Sequence, residues 1–201
     1  MLKELKILFA TSNQNKIKEA RAILEPLGYS VQQLLIEGAP PDFIEPQTED
    51  IKIISSSKVE QSLEMISGTE FSDFSILVED SGLFINNLGG FPGVYSSYVQ
   101  KTIGNDGIIR ILEGNNNRQA EYRAYTILYQ NGKYFDSLGI CSGKISTEIR
   151  GSSGFGFDPI FIPDLGDGRT FGEMSQSEKD SKSHRGKSLR ILSDELRGPS
   201  E

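Results

Sequence analysis

The chain begins with an apolar strand that runs through a polar turn into an amphipathic helix, and this unit restricts its fold most strongly. Leu5 to Ala10 form a short apolar run, and residues 11–15 supply turn and N-cap side chains. Apolar residues then recur at helical spacing until Gly28, which suits the end of a helix. The alternation continues with a buried strand predicted from Phe74 to Glu79, a short helix predicted at 105–113, and a helix start marked by a capping box in Ser175-Gln-Ser-Glu178. The sequence therefore predicts an α/β domain.

A hairpin signal shows that the sheet of this domain cannot be purely parallel. The stretch 120–140 alternates around Asn131-Gly132, the dipeptide most typical of a two-residue β-turn. We therefore predict a central mixed β-sheet flanked by helices, with an antiparallel hairpin extension. Residues 1–201 contain no repeat, linker or low-complexity segment, so we expect one domain.

The charge balance limits the partners of the chain. With 28 acidic and 21 basic residues the net charge is -7, which disfavours general binding to nucleic acid or to anionic membranes. No apolar run approaches the ~20 residues that span a bilayer, and the N-terminus lacks a signal-peptide cleavage pattern. The single cysteine, Cys141, forms no internal disulfide, and we interpret it as a structural strand residue. We expect a cytoplasmic protein.

The first candidate site is the turn Ala10-Thr-Ser-Asn-Gln-Asn-Lys16. The N-terminus of a helix offers free backbone N–H groups and a positive dipole end, and Lys16 adds a full charge there. A bound phosphate would explain this arrangement. Ordinary capping by Thr11, Ser12 or Asn13 beside a solvated lysine remains the alternative.

The second candidate is a pair of carboxylates after a buried strand, in Val78-Glu-Asp-Ser-Gly82. Neighbouring strand residues point to opposite faces, so a turn at Ser81-Gly82 would be needed to bring Glu79 and Asp80 onto one ion. Such oxygen ligands suit Mg²⁺, and one carboxylate could instead activate a water. The alternative is a solvated acidic turn.

The third candidate combines Gly154-Phe-Gly-Phe-Asp-Pro159 with a basic segment at 179–190. The phenylalanines could stack on a flat ring or belong to the core. The basic segment forms either an anion site or a solvated helix face. His184, the only histidine, is either a packing residue or a catalyst.

In this order the motifs resemble the inosine triphosphate pyrophosphatase family. The matching segments extend from residue 10 to residue 185. They are Ala10-Thr-Ser-Asn-Gln-Asn-Lys-Ile-Lys-Glu19, Val78-Glu-Asp-Ser-Gly82, Leu88-Gly-Gly-Phe-Pro-Gly-Val-Tyr-Ser96, Gly154-Phe-Gly-Phe-Asp-Pro-Ile-Phe161, Thr170-Phe-Gly-Glu-Met174 and Glu178-Lys-Asp-Ser-Lys-Ser-His-Arg185.

The resemblance implies an elongated fold of two lobes with a cleft between them, a homodimer, and Mg²⁺-dependent hydrolysis of ITP, dITP and XTP to the monophosphate and pyrophosphate. It makes Asp80 the general base and assigns the metal to Glu45, Glu79 and Asp80. The implied substrate-binding residues are Thr11, Ser12, Asn13, Gln14, Asn15, Lys16, Lys58, Ser81, Phe155, Gly156, Phe157, Asp158, Lys179, His184 and Arg185. Phe157 takes the aromatic stacking position in this assignment.

The chain departs from the family pattern in three places. Ser12 replaces a glycine, Thr48 replaces the glycine of a Gln-Gly pair that follows the metal-binding glutamate in some members, and Ser97-Tyr98 stand where a basic residue often follows. Two alternatives therefore stay open: a pyrophosphatase for modified pyrimidine or methylated nucleotides, and a catalytically silent nucleotide-binding protein.

Overall fold

The computed structural model describes residues 5–197, which form a mixed α/β fold. The strands are β1 (Leu5–Phe9), β2 (Tyr29–Gln33), β3 (Ser75–Ile85), β4 (Pro92–Gly93), β5 (Gln119–Gln130), β6 (Lys133–Ile145) and β7 (Phe161–Pro163). The α-helices are α1 (Gln14–Leu24), α2 (Ile51–Ile66), α3 (Ser96–Thr102), α4 (Gly104–Ile111), α5 (Gln176–Lys182) and α6 (His184–Arg197). Among these described residues, none of the helices has the length and apolarity that a membrane crossing requires.

The strands form one sheet in the order β2-β1-β3-β5-β6-β7, with β4 paired to β3. Strand β1 runs parallel to β2 and β3, whereas β4 and β7 are antiparallel to their neighbours. Asn131 and Gly132 have φ values of 50° and 78°, the left-handed pair that a two-residue hairpin turn requires. The predicted mixed sheet with an antiparallel hairpin is therefore confirmed.

The chain divides into two compact units. Among the described residues, unit 1 comprises residues 5–80, 125–138 and 188–197. Unit 2 comprises residues 81–124 and 139–187.

Unit 1 has an apolar cluster on each face of its sheet. Ile7, Phe9 and Leu77 pack with helices α1 and α6, whereas Leu8, Ile76 and Val78 pack with helix α2. Successive residues of β1 and β3 thus alternate between the two helical layers, as a pleated strand requires. Because of this alternation, the neighbouring carboxylates Glu79 and Asp80 of β3 face different helical layers.

Unit 2 is built around an aromatic core. Tyr122, Phe161 and Phe171 contact one another, with ring centroids 4.7 to 6.3 Å apart. Phe157 belongs to the same cluster, together with Ile108 and Leu112 of the α4 region. Helix α4 corresponds to the helix that the sequence predicts at 105–113.

The predicted end of β3 at Glu79 is wrong, because the strand continues through Ser81 and Gly82 to Ile85. A Cβ atom on Gly82 would lie 2.2 Å from the carbonyl oxygen of Gly93. The glycine therefore permits the close approach of β4 and does not form a turn.

Candidate functional site

The turn into helix α1 is capped by its own side chains. Asn13 Oδ1 accepts hydrogen bonds from the backbone N–H groups of Asn15 (2.9 Å) and Lys16 (3.4 Å). Thr11 Oγ1 accepts one from the N–H of Asn13 at 3.1 Å. Ser12, Gln14 and Asn15 are exposed. The capping that the sequence allowed as an alternative to phosphate binding is thus present.

Lys16 has an anionic partner within the chain. Its Nζ lies 2.8 Å from Glu79 Oε2 and also donates to the Glu79 carbonyl oxygen at 2.8 Å. The Glu79 side chain is fully buried in this ion pair. An intramolecular carboxylate therefore accounts for a lysine at a helix N-terminus, where the helix dipole alone would disfavour it.

Glu79 and Asp80 face opposite layers of the sheet. Glu79 binds Lys16 of α1, whereas Asp80 binds Lys58 of α2. Because β3 continues without a turn, the pleat separates the two side chains. The predicted convergence of both carboxylates on one ion through a turn at Ser81-Gly82 is therefore wrong.

Asp80 is held by helix α2. Its Oδ1 accepts from Lys58 Nζ at 2.6 Å, and its Oδ2 accepts from Ser55 Oγ at 2.9 Å. Lys58 Nζ also lies 2.7 Å from Glu45 Oε1, so one ammonium joins two carboxylates. Burial alone would lower the pKa of Lys58, but Asp80 and Glu45 hold it above its ordinary value. Lys58 is therefore a cation at neutral pH.

Of the acidic residues predicted to bind a metal ion, only Glu45 and Asp80 lie close enough to share a cation. Across residues 5–197, no three His, Cys, Asp or Glu side chains are grouped closely enough to hold a metal ion. Glu45 and Asp80 already converge on one positive charge, the ammonium of Lys58. Two carboxylates supplemented by phosphate oxygens and water suit Mg²⁺. Glu79 lies in the opposite layer and does not join this pair.

Unit 2 contains a second, deeply buried ion pair. Lys179 Nζ lies 2.6 Å from Asp158 Oδ2, and both side chains are 3% exposed. The same oxygen accepts from the backbone N–H of Phe155 at 2.7 Å. Burial raises the pKa of Asp158 above its ordinary value, although Lys179 and Arg185 act to lower it. The pair fixes the Gly154–Asp158 loop to helix α5.

The cationic side chains of Lys179 and Arg185 lie over the ring of Phe155. Lys179 Nζ lies 4.4 Å from its ring centroid, and the Arg185 guanidinium lies 5.6 Å from it. Arg185 also donates to Ser81 Oγ at 3.2 Å. Phe157, by contrast, is 2% exposed within the core of unit 2. Its burial contradicts the assignment of Phe157 as the stacking ring, whereas Phe155, next to Gly156, is only half-buried.

His184 is a packing residue in this structure. Its imidazole stacks on Tyr122 with centroids 4.5 Å apart and an interplanar angle of 6°. The side chain is 4% exposed. The sequence left packing and catalysis open, and the stacking geometry favours packing.

Ser55 was not identified from the sequence, although it contacts the predicted base Asp80. It precedes Lys58 by three residues on helix α2, a spacing that places both side chains on one face. That spacing is the signal that could have revealed it once Lys58 was assigned.

Lys179 and Arg185 thus both lie over the Phe155 ring, and Lys179 also pairs with the Asp158 carboxylate. The model of the Ham1 family matches residues 7–195. The chain belongs to the Ham1 family, which confirms the resemblance seen in the sequence.

Similar proteins cover almost the whole chain. A dITP/XTP pyrophosphatase from Thermococcus kodakarensis is 43% identical over 96% of this chain and 98% of its own. A second, from Pyrococcus horikoshii, is 42% identical over 94% and 95%. The structure of a HAM1 protein from Coxiella burnetii has a TM-score of 0.82 and 27% identity, covering 97% of this chain and 100% of its own.

Proposed function

We propose that this chain hydrolyses the non-standard purine nucleotides ITP, dITP and XTP to the monophosphate and pyrophosphate. The observation that carries this proposal is the 43% identity, over almost the full length of both chains, to a protein named dITP/XTP pyrophosphatase. The contacts of Asp80 and Arg185 are consistent with this chemistry.

Asp80 is our candidate for the general base. Lys58 and Ser55 each donate a hydrogen bond to one oxygen of this carboxylate and so fix its orientation. A fixed carboxylate can accept a proton from a water held in the matching position. The base would take a proton from a water that attacks the α-phosphorus. Lys58 carries a full positive charge that would offset the charge developing on the pyrophosphate leaving group.

We propose that Glu45 and Asp80 hold Mg²⁺, because their carboxylates already share one cation. The ion would neutralise phosphate charge and polarise the bond that is cut. Lys58 would then remain available to the phosphates.

Base recognition is assigned to Phe155 and Arg185. The Phe155 ring offers a stacking surface, and the guanidinium of Arg185 keeps its N–H donors because arginine stays protonated. Hypoxanthine and xanthine carry a 6-oxo acceptor, whereas adenine carries a 6-amino donor. A buried donor left facing adenine without a partner would cost about 1–3 kcal/mol per group.

We also propose a homodimer in the cytoplasm. Tyr95 and Tyr98, next to and within helix α3, are 50% and 69% exposed, and we propose that they belong to the dimer surface because tyrosine is enriched at protein interfaces. The single buried cysteine is compatible with a reducing compartment. Sedimentation at micromolar concentration should give twice the chain mass, and a monomer would contradict the dimer.

A panel of triphosphates tests the proposed activity. We expect pyrophosphate release from ITP, dITP and XTP at a kcat/KM at least about 100-fold above that for ATP. Preference for a modified pyrimidine or methylated nucleotide would support the related house-cleaning pyrophosphatase. Saturable ITP binding without product would identify a silent nucleotide-binding protein.

A further inference from the structure

Glu45 lies in a long segment without regular secondary structure. Residues 37–50 precede helix α2 and form no strand apart from an isolated bridge. Ile44, the residue before Glu45, has a side chain that is 83% exposed. Apolar burial of Ile44 therefore cannot fix the position of Glu45, although Phe43 packs against the core one residue earlier.

The backbone of Ile44 is instead held by one side chain of helix α2. Gln61 Oε1 accepts from the Ile44 N–H at 2.9 Å, and Gln61 Nε2 donates to the Ile44 carbonyl oxygen at 2.9 Å. This two-bond pairing fixes the peptide groups on both sides of Ile44. The second of these peptide groups is the one that leads into Glu45.

Gln61 is itself oriented by the helix. Its Nε2 lies 3.1 Å from Ser57 Oγ, one turn earlier on α2. Lys58, which contacts the Glu45 carboxylate, precedes Gln61 by three residues on the same helix. Helix α2 thus contacts residues 37–50 at two points, the Ile44 backbone and the Glu45 side chain.

Pro46 restricts the residue on the other side. A proline disfavours helical conformation for the residue before it, so Glu45 is biased toward an extended backbone. Gln61 holds the peptide group before Glu45, and Pro46 restricts the backbone conformation of Glu45 itself. Together these two constraints limit the direction of the Glu45 side chain.

We propose that Gln61 is a positioning residue that holds Glu45 ready to bind a divalent cation together with Asp80. The inference rests on the proposed function for its place in catalysis, but not for metal binding itself. Gln61 acts through the backbone of Ile44 and does not touch substrate.

Binding of Mn²⁺ alone, followed by electron paramagnetic resonance without nucleotide, tests the proposal directly. For Gln61→Met we expect affinity to fall roughly 10-fold, the lower end of the range for groups that orient metal ligands. Glu60→Met is the matched control, because Glu60 is exposed on the same helix. It should bind Mn²⁺ as the unchanged protein does.

A double variant separates positioning of Glu45 from any other role. Once Glu45→Gln has removed the ligand, Gln61→Met should reduce Mn²⁺ affinity by less than about 2-fold further, because coupled residues are not additive. An equal reduction in both backgrounds would overturn the proposal. So would unchanged Mn²⁺ affinity in Gln61→Met alone.

Kinetics with ITP supply a second readout. The Mg²⁺ concentration for half-maximal rate should rise roughly 10-fold in Gln61→Met, with kcat at saturating Mg²⁺ within about 2-fold. A lower kcat at every Mg²⁺ concentration, or a lower melting temperature with unchanged metal dependence, would contradict positioning. If no triphosphate is hydrolysed by the unchanged protein, the proposed function fails, and the Mn²⁺ measurements still decide the role of Gln61.

Discussion

Replacing Lys179 with methionine should expose how strongly the buried ion pair of unit 2 depends on both partners. The ammonium lies 2.6 Å from Asp158 Oδ2, and both side chains are 3% exposed. Removing one partner of such a pair typically costs about 3–5 kcal/mol, because the other charge stays buried. Asp158 keeps the Phe155 N–H bond and can accept a proton, so we expect about 3 kcal/mol.

The loss should depend on pH in a defined direction. Burial already raises the pKa of Asp158 while Lys179 and Arg185 lower it, so removal of Lys179 should raise this pKa further. A pKa that is higher in the folded state means that stability falls as pH rises through it. Lys179→Met should therefore lose more stability near about pH 8 than near about pH 5.

Thermal unfolding followed by circular dichroism gives the measurement. At roughly 2–4 °C per kcal/mol for a chain of this size, the midpoint should fall by about 6–12 °C. Lys101→Met makes the same change at an exposed lysine of unit 2 and should stay within about 0.5 kcal/mol. In an Asp158→Asn background, Lys179→Met should cost much less. A pH-independent loss below about 1 kcal/mol, or equal costs in both backgrounds, would refute the reasoning.

Two further substitutions and one labelling experiment test the site, an exposed ion pair and the buried thiol. Asp80→Asn should reduce ITP turnover by at least about 100-fold while equilibrium dialysis still detects ITP binding, and undiminished turnover would remove Asp80 from the mechanism. Hydrogen bonds from Arg169 and Ser175 lower the pKa of Glu178 from 4.5 to about 2, so their stabilisation is present above 4.5 and disappears as pH falls toward 2. As pH falls from 4.5 toward 2, the free energy of unfolding should therefore decrease less in Glu178→Gln than in the unchanged protein. Equal decreases in the two proteins would contradict this role of Glu178. Burial raises the pKa of Cys141 to about 11, so thiol reagents should label the folded protein at neutral pH far more slowly than the urea-unfolded chain, and equal rates would contradict its burial.

Local features of the fold could be predicted from the sequence because their causes lie within a few residues. The Asn131-Gly132 turn depends on two adjacent residues that tolerate positive φ, and the structure has it. The capping box at Ser175 and Glu178 likewise involves residues three apart. Residues 105–113 predict the helix found as α4, whereas helix α3 buries only Ser96 and Val99 and so has no apolar periodicity from which to predict it.

The site was harder to predict because its partners are distant in sequence. Lys16 suggested a bound phosphate, but its partner Glu79 lies 63 residues away. Gly82 suggested a turn, whereas the neighbour that requires a glycine is Gly93 on β4. Phe155 and Phe157 share Gly156 as a neighbour in sequence, and only the packing of unit 2 buries Phe157 in the core. Pairings of this kind depend on tertiary contacts that no local pattern encodes.

Hydrolysis of ITP in ¹⁸O-labelled water with Mg²⁺ tests most directly whether water attacks the α-phosphorus of a non-standard purine triphosphate. Mass spectrometry of the products should find the label in IMP and none in pyrophosphate. Label in pyrophosphate would place the attack at the β-phosphorus. Formation of IDP and labelled phosphate would place it at the γ-phosphorus, and either result would contradict the account.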